Sequence, residues 1–341
     1  MRNETRTLYH AFLGAIATLN SVQSAAESFV VSPTVQQRLE TRTQDTSSFL
    51  ASINNIGVTE QSGSKIGLGI GSTIAGRTDT SSADRVPTDP TTLDEFGYVC
   101  KQTNFDTAIK YAKLDAWAKF PDFQTRIRDA ILQRQALDII MIGWNGTSAA
   151  ATTNRATSPL LQDVNIGWLQ KIRTEAAAKV ISDGASTGTN AIKVSPTGAA
   201  GSDYVSLDAL VYDLVNNLIA PWYREDPQLR VILGRDLMAD KYFPLINSAQ
   251  PASEQMAADM LVSQKRVGGL QAVTVPFFPA NGLLITRLDN LSRYFQEGAR
   301  RRTITDNPKR DQIENYESSN DAYVVEDYDM IALAENITFV A

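Results

Sequence analysis

The chain is poor in the side chains that most enzyme chemistry uses, with one cysteine, Cys100, and one histidine, His10, among 341 residues. A single cysteine excludes an internal disulfide and any cysteine-rich zinc site, so stability has to come from burial and association, and a reducing compartment fits. A single histidine so near the start disposes of much nucleophilic catalysis. Gly184-Ala185-Ser186-Thr187-Gly188 matches the G-x-S-x-G nucleophile pattern, but hydrolases of that kind need a histidine later in the chain, so the stretch reads as a loop. No segment after the N-terminal region approaches the roughly 18 apolar residues of a membrane span. Nor is there an excess of positive charge: the formal net charge of -6 argues against a dedicated nucleic-acid binder, whose affinity rests on neutralising phosphates. The one basic run, Arg300-Arg301-Arg302, lies near Asp306, Lys309, Arg310 and Asp311 and reads as a solvated or subunit-facing loop.

What is present is a globular composition, 43% hydrophobic and 21% charged, enough for one large core or two. The remaining motifs are weak. Gly67-Leu68-Gly69-Ile70-Gly71-Ser72 resembles a phosphate-cradling turn but lacks the third glycine and a following helix, and Lys65 lacks the G-K-[ST] context of a nucleotide loop. Cys100 has no histidine nearby to make a thiolate and reads as a small buried hydrophobe. Glu225-Asp226, Glu326-Asp327 and Asp329 read as solvated carboxylates. Trp117, Trp144, Trp168 and Trp222 read as core anchors. No catalytic, cofactor-binding or metal-binding residue is expected.

The longest legible element runs from Pro121 to Gly146. Pro121 suits a first helical position, Asp122 complements the positive helix end, and Asn145-Gly146 is a stop. Phe123, Ile127, Ala130, Leu137, Met141 and Trp144 form a three-and-four stripe broken by Arg134. Such a helix would be on the order of 35 Å long, the span of a small domain. Arg126, Arg128 and Arg134 belong to its wet or subunit-facing side, and Arg134 calls for a partner carboxylate.

Around this helix the chain divides by composition. The opening MRNETR, the apolar Ala11 to Leu19 and Ser24-Ala25-Ala26 mimic a signal peptide, but Glu4 and the spacing of Leu8, Phe12, Ala15 or Ile16, and Leu19 favour a short amphipathic helix that docks on a partner. A second amphipathic piece covers about 31 to 58. Ser62 to Tyr98, rich in Gly, Ser and Thr, reads as a two-stranded projection. Phe105 to Leu114 alternates like a strand, Asp163 to Ile181 reads as helix, and Ser206 caps a helix to Ile219. Leu229 to Leu233 and Ala272 to Phe278 read as strands, with helices over Arg235 to Ile246 and Ser253 to Ser263. Strands dominate from Gly282 on, with a polar turn at Asp306-Asn307-Pro308.

Several long segments carry a resemblance: MRNETR, KIGLGI with its following TDT, WAKFPDFQTRIRDAILQRQALDIIMIGWNG, LLQDVNIGWLQKIR, YVSLDALVYDLVNNLIAPWYREDP, GRDLMADKYFP, VSQKRVGGLQAVTVPFFPA and NPKRDQIENYESSNDAYVVEDY. In these the chain resembles the major capsid proteins of P2-like tailed phages, which have the HK97-like capsid fold. The resemblance implies an α+β subunit of an icosahedral shell around double-stranded DNA, and no enzyme. It implies a removable N-terminal segment (1–29), an N-arm (30–61) and an extended β-hairpin loop (62–98). A peripheral lobe (99–202 and 282–341) would carry the spine helix (121–144), and an axial lobe would span 203–281. It places a maturation cut near Phe29, Val30, Val31 and Ser32. Implied partners are further copies in hexamers and pentamers, an internal scaffold and protease, a portal protein, and packaged DNA held by weak contacts, without a membrane. The implied location is the virion, with the host cytoplasm during assembly. The alternatives are another self-assembling shell or tail component, and a soluble α/β enzyme using a carboxylate dyad or a metal.

Overall fold

The structure is a computed structural model that describes residues 1–70, 75–82, 84–87, 91–117, 123–185, 188–246 and 265–340. The expected helix over Ser253 to Ser263, the Pro121-Asp122 helix start and Ser186 of the G-x-S-x-G match lie outside these residues.

The N-terminal part holds α1 (Asn3–Asn20), β1 (Phe29–Val30), α2 (Pro33–Asp45), α3 (Ser48–Ser52) and β2 (Asn54–Val58). Then comes the hairpin of β3 (Ser62–Ile70) and β4 (Thr91–Val99), antiparallel from Ser62↔Val99 to Ile70↔Thr91, as the Gly, Ser and Thr content suggests. β5 (Lys101–Asn104), β6 (Thr107–Lys110) and α4 (Tyr111–Trp117) follow. The alternation read over Phe105 to Leu114 thus covers a strand that turns into a helix at Tyr111.

The long helix is α5 (Phe123–Asn145), ending where Asn145-Gly146 signals the stop. Its burial differs from the expected stripe. Ala130 is exposed, while Leu132, Ala136, Ile139 and Ile140 are buried, and every residue from Ile139 to Trp144 is enclosed. The first half of α5 lies at the surface and the second half threads the core. Gly143 shows how tight that threading is: a Cβ there would sit 2.3 Å from Cζ3 of Trp168, a ring that is itself fully buried. Glycine is a poor helix former, and it is kept here because the indole lies directly on the helix backbone.

α6 (Trp168–Glu175) is shorter than the Asp163 to Ile181 helix read from sequence. Gly167, whose added Cβ would meet the Gly143 carbonyl oxygen at 2.4 Å, is extended at φ -88° and ψ 177°. The helix therefore starts only at Trp168, and the far end becomes β7 (Val180–Ile181). The rest is β8 (Ile192–Val194), α7 (Leu207–Leu218), β9 (Arg230–Leu233), α8 (Arg235–Ile246), β10 (Arg266–Val267), β11 (Leu270–Val273), β12 (Leu283–Thr286), β13 (Leu291–Gln296), β14 (Arg301–Asn307), β15 (Gln312–Val325), β16 (Ala332–Ala334) and β17 (Ile337–Phe339). Ser206 caps α7 by accepting from Ala209 N–H at 3.2 Å, as its position predicts.

Two sheets organise the described residues. In the seven-stranded one, ordered β1-β14-β15-β13-β2, the 14-residue β15 is the spine. It pairs with β14 and β13 on one side and with β6 and β5 on the other. The β14–β15 hairpin turns at the expected polar site just after Asn307. The six-stranded sheet runs β10-β11-β9-β12-β16-β7. It takes in Val180–Ile181, Leu283–Thr286 and Ala332–Ala334, which the resemblance assigns to the peripheral lobe.

Strand alternation explains why these segments are shared. One sheet face sends Ile232, Leu284 and Leu333 into a core with Ile140, Trp144, Trp168 and Tyr323. The opposite face sends Val231, Leu233, Leu283, Ile285, Ala332 and Ala334 into a core beneath α7 with Leu210 and Leu214. Reading segment by segment could not see one sheet serving two cores. No described helix is long and apolar enough to cross a membrane.

Candidate assembly and processing surfaces

The N-terminal segment lies on its own chain. α1 and the following loop pack Ile16, Ala25, Phe29 and Val31 around Ile304 of β14, with Tyr9, Phe12, Leu13 and Ile313 against them. The stripe read as a partner-docking face thus covers the apolar Ile304 and Ile313 side of the seven-stranded sheet. Leu8 and Leu19 of that stripe remain exposed. Polar contacts fix the start of the helix, where Thr5 Oγ1 and the Arg2 N–H donate to Asp115 Oδ1 at 2.7 and 3.0 Å. His10 lies on α1 with Tyr9 as its ring neighbour.

The four residues singled out for processing fall at the edge of the sheet. Phe29 and Val30 pair with Arg302 and Arg301, and the Val31 N–H donates to the Arg300 carbonyl at 2.9 Å. Phe29 and Val31 are buried, Val30 is 51% exposed, and Ser32 precedes Pro33 at the start of α2.

Beneath α2 lies a cluster that sequence reading missed. Arg300 is not in a solvated loop; it is 3% exposed. Its guanidinium donates to Glu40 Oε1 at 2.6 Å, to Glu317 Oε1 at 2.6 and 2.7 Å, and to Gln135 Oε1 at 3.3 Å. Arg293 donates to Glu40 Oε2 at 2.6 Å and to Asp321 Oδ1 at 2.7 Å. Gln135 of α5 closes the circuit by donating to Glu317 Oε2 at 3.1 Å. Elements far apart in sequence meet here, namely α2, α5, β13, the start of β14 and β15. Burial alone would push the Glu40 carboxyl up, but the Arg293 and Arg300 guanidiniums outweigh it and hold it below the usual range. Glu317 is held down likewise, with Arg300 and Arg302 opposing its burial. Burial disfavours the charge on Arg293 and Arg300, and their carboxylates more than restore it.

The base of the hairpin is clamped to the end of β15. Tyr98 meets Tyr294 and Phe96 meets Tyr328 edge to face, with centroids 5.1 and 5.3 Å apart. Lys65 lies over the Tyr328 ring and donates to the Val325 carbonyl. Burial lowers its pKa, against the pull of Glu326, Asp327 and Glu175. Gly67 and Gly69 fall inside β3, paired with β4, so that run is strand rather than phosphate loop.

The other singled-out residues take structural places. Cys100 is fully buried, and burial pushes its thiol up to about 11, which removes it as a nucleophile. Trp144 and Trp168 anchor the core as expected, whereas Trp222 is 55% exposed. Glu326 and Asp327 are not simply solvated: they accept from Tyr294 and Tyr223 hydroxyls at 3.0 and 2.9 Å. Arg134 finds its carboxylate one turn on, in Asp138. Among the described residues no group of His, Cys, Asp and Glu is arranged to hold a metal ion.

Comparison with known proteins gives this arrangement its context. The family described as "Phage major capsid protein, P2 family" matches residues 8–337. The capsid protein of Escherichia phage P2 is 50% identical, over 99% of this chain and 95% of that protein. The major capsid protein of Serratia phage KSP20 is 43% identical, over 99% and 98%. Among solved structures, a chain of the satellite phage P4 procapsid that includes a size-determination protein superposes with a TM-score of 0.82 at 47% identity, covering 100% of this chain and 99% of that one. The capsid of an empty GTA particle, at 16% identity, shares the fold with a TM-score of 0.53 over 86% and 90% of the two chains. The α+β architecture is the HK97-like capsid fold, and the two phage relatives are capsid proteins. The chain belongs to the P2 family of phage major capsid proteins and is a subunit of a virion's shell.

Proposed function

We propose that the chain assembles as hexamers and pentamers around an internal scaffold and matures by loss of its N-terminal segment through a cut near Phe29, Val30, Val31 and Ser32. One observation carries the reading. Among the described residues, neither of the two large cores contains a residue before Phe49, and the segment joins the body through a small core of its own. Such a piece can leave without opening either lobe. The intact mass of the chain from mature particles tests this: loss of 28 to 32 N-terminal residues is expected, and a chain that keeps Met1 overturns it.

In this reading residues 30–61 form an N-arm, and the hairpin of 62–98 reaches over a neighbouring subunit. The region of 203–281 forms an axial lobe towards the centre of each capsomer. Residues 99–202 with 282–341 form the peripheral lobe along the spine helix. A portal protein would occupy a vertex and a scaffold-associated protease would make the cut, all in the host cytoplasm and without a membrane. The acidic balance, a net charge of -6, suits a container whose wall should not grip packaged double-stranded DNA. The electrostatic potential over the inner wall of an assembled shell tests that point; a strongly positive lining would refute it. Each subunit contact need contribute only a few kcal/mol, because a closed lattice holds every subunit through many contacts at once.

A further inference from the structure

The segment proposed for processing is stored as a strand, and its side chains alternate. Phe29 and Val31 point into the body at 8% and 1% exposure, and Val30 points out at 51%. An endoprotease holds its substrate extended and inserts the side chains beside the scissile bond into its own pockets. Every peptide bond from Phe29 to Ser32 has at least one inward-facing residue next to it, and the backbone is already paired with β14.

We infer that docking of the N-terminal segment on β14 is a latch that shields the Phe29–Ser32 bonds until α1 and the strand lift off together; this deepens, and rests on, the maturation reading above. The two must move together because they share one small core. Ile16 and Ala25 pack with Phe29, Val31 and Ile304, and the Ile304 N–H donates to the Ala25 carbonyl at 3.0 Å. Asn20 at the end of α1 accepts from the Ser32 N–H at 3.3 Å, tying the helix to the far side of the segment. Any event that pulls α1 from the sheet therefore opens the cleavable stretch as a unit. The two products of a cut are held differently. The upstream piece is held by the small apolar core, by the Ala25 carbonyl on the Ile304 N–H and by the contacts to Asp115, whereas downstream α2 is held by Glu40 in the buried charge cluster. Once cut, the upstream piece is free to dissociate and the arm stays.

The register supplies a direct test. Val30 lies opposite Arg301, both exposed. The flanking Val31–Arg300 bond makes 30 and 301 a non-hydrogen-bonded pair, in which the Cβ atoms are closest. The variant Val30→Cys with Arg301→Cys should form a disulfide, and the natural Cys100 is buried and does not compete. The full-length chain is treated with thermolysin, and cuts between residues 28 and 32 are followed by mass spectrometry. The oxidised variant should be cut at least about tenfold more slowly than the same variant with reductant present. Ile16→Ala, which leaves the sequence around the scissile bonds unchanged, should be cut about tenfold faster than the parent. Equal rates for the oxidised and reduced forms, failure of the disulfide to form, or an unchanged rate for Ile16→Ala would each overturn the latch. The maturation reading fails separately, on particles whose chain keeps Met1; shortened chains together with indifferent thermolysin rates would leave maturation standing and remove the latch.

Discussion

Replacing Glu40 by Gln keeps the shape of the side chain and removes its charge, which makes it the sharpest probe of the cluster under α2. Glu40 receives two charge-assisted hydrogen bonds at 2.6 Å, from Arg293 and Arg300, with all three side chains at most 5% exposed. A glutamine can accept from only one of them, and its amide N–H groups face the other guanidinium. Each guanidinium keeps a second carboxylate, Asp321 for Arg293 and Glu317 for Arg300, so the loss is not that of a stranded charge. About 3 kcal/mol is expected, the low end for breaking a buried pair. Arg300→Met should cost more, about 5 kcal/mol, because it leaves Glu317 and Glu40 short of a donor at the same time.

Equilibrium unfolding of the unassembled chain in urea, followed by tryptophan fluorescence, gives both values. Adding the double variant yields the coupling between Glu40 and Arg300, expected at about 2 kcal/mol. The pH dependence has a definite sign. Glu40 and Glu317 have folded pKa values below their unfolded ones. Their contribution is therefore complete above about pH 4.5 and is lost as pH falls through the depressed folded values. Glu40→Gln should flatten part of that acid dependence. A Glu40→Gln chain within about 0.5 kcal/mol of the parent, or one hurt more than Arg300→Met, would refute the account of the cluster.

Other perturbations have expected outcomes as well. Gly143→Ala should destabilise the chain by about 3 kcal/mol despite alanine's better helix propensity, because the new Cβ meets the buried Trp168 ring at 2.3 Å; a more stable variant in urea unfolding would show that the indole can yield. Cys100, buried and with its thiol pushed up to about 11, should resist iodoacetamide at pH 8 in the folded chain and react once urea unfolds it; fast labelling without denaturant would contradict its enclosure. Deleting residues 1–29 should leave the main urea transition within about 2 kcal/mol of the parent, since both large cores begin at or after Phe49, while assembly with scaffold is impaired. A deleted chain that fails to fold would make the segment part of the core.

How legible each element was depended on how local its cause is. The long helix could be placed because its stop, Asn145-Gly146, is local chemistry, and the observed end at Asn145 agrees. Its buried face was harder to read. Ala130 lies in the exposed half while Leu132 and Ala136 are enclosed, a choice made by what packs on the helix rather than by its own period. The start of α6 was set by a contact across the fold, Gly167 against the Gly143 carbonyl, that no window of sequence around Asp163 contains. The hairpin was readable because its composition cannot form a core. The sharing of the six-stranded sheet was not, because alternate residues of single strands serve two different cores.

The charge cluster was the costliest omission, and one signal in the sequence pointed to it. From composition alone, Arg300-Arg301-Arg302 reads as a solvated or subunit-facing loop. In a strand, neighbours face opposite ways, so a run of three arginines entering a strand splits into an outer residue and two inner ones. The burial follows that split: Arg300 is enclosed, Arg301 is exposed and Arg302 is half-buried with its Nε donating to Asn315 at 2.8 Å. An arginine on the inner face of a strand demands a carboxylate, and β15 offers Glu317 and Asp321 on the alternate positions of its own inner face. Those two could have been paired with Arg300 and Arg293 from period alone. Glu40 could not, because it arrives from a helix some 250 positions away in the chain. The part of the cluster within the strands was therefore inferable, and the part that fastens α2 to the sheet was not, since helix α2 shows a stripe and a charge but no address for either.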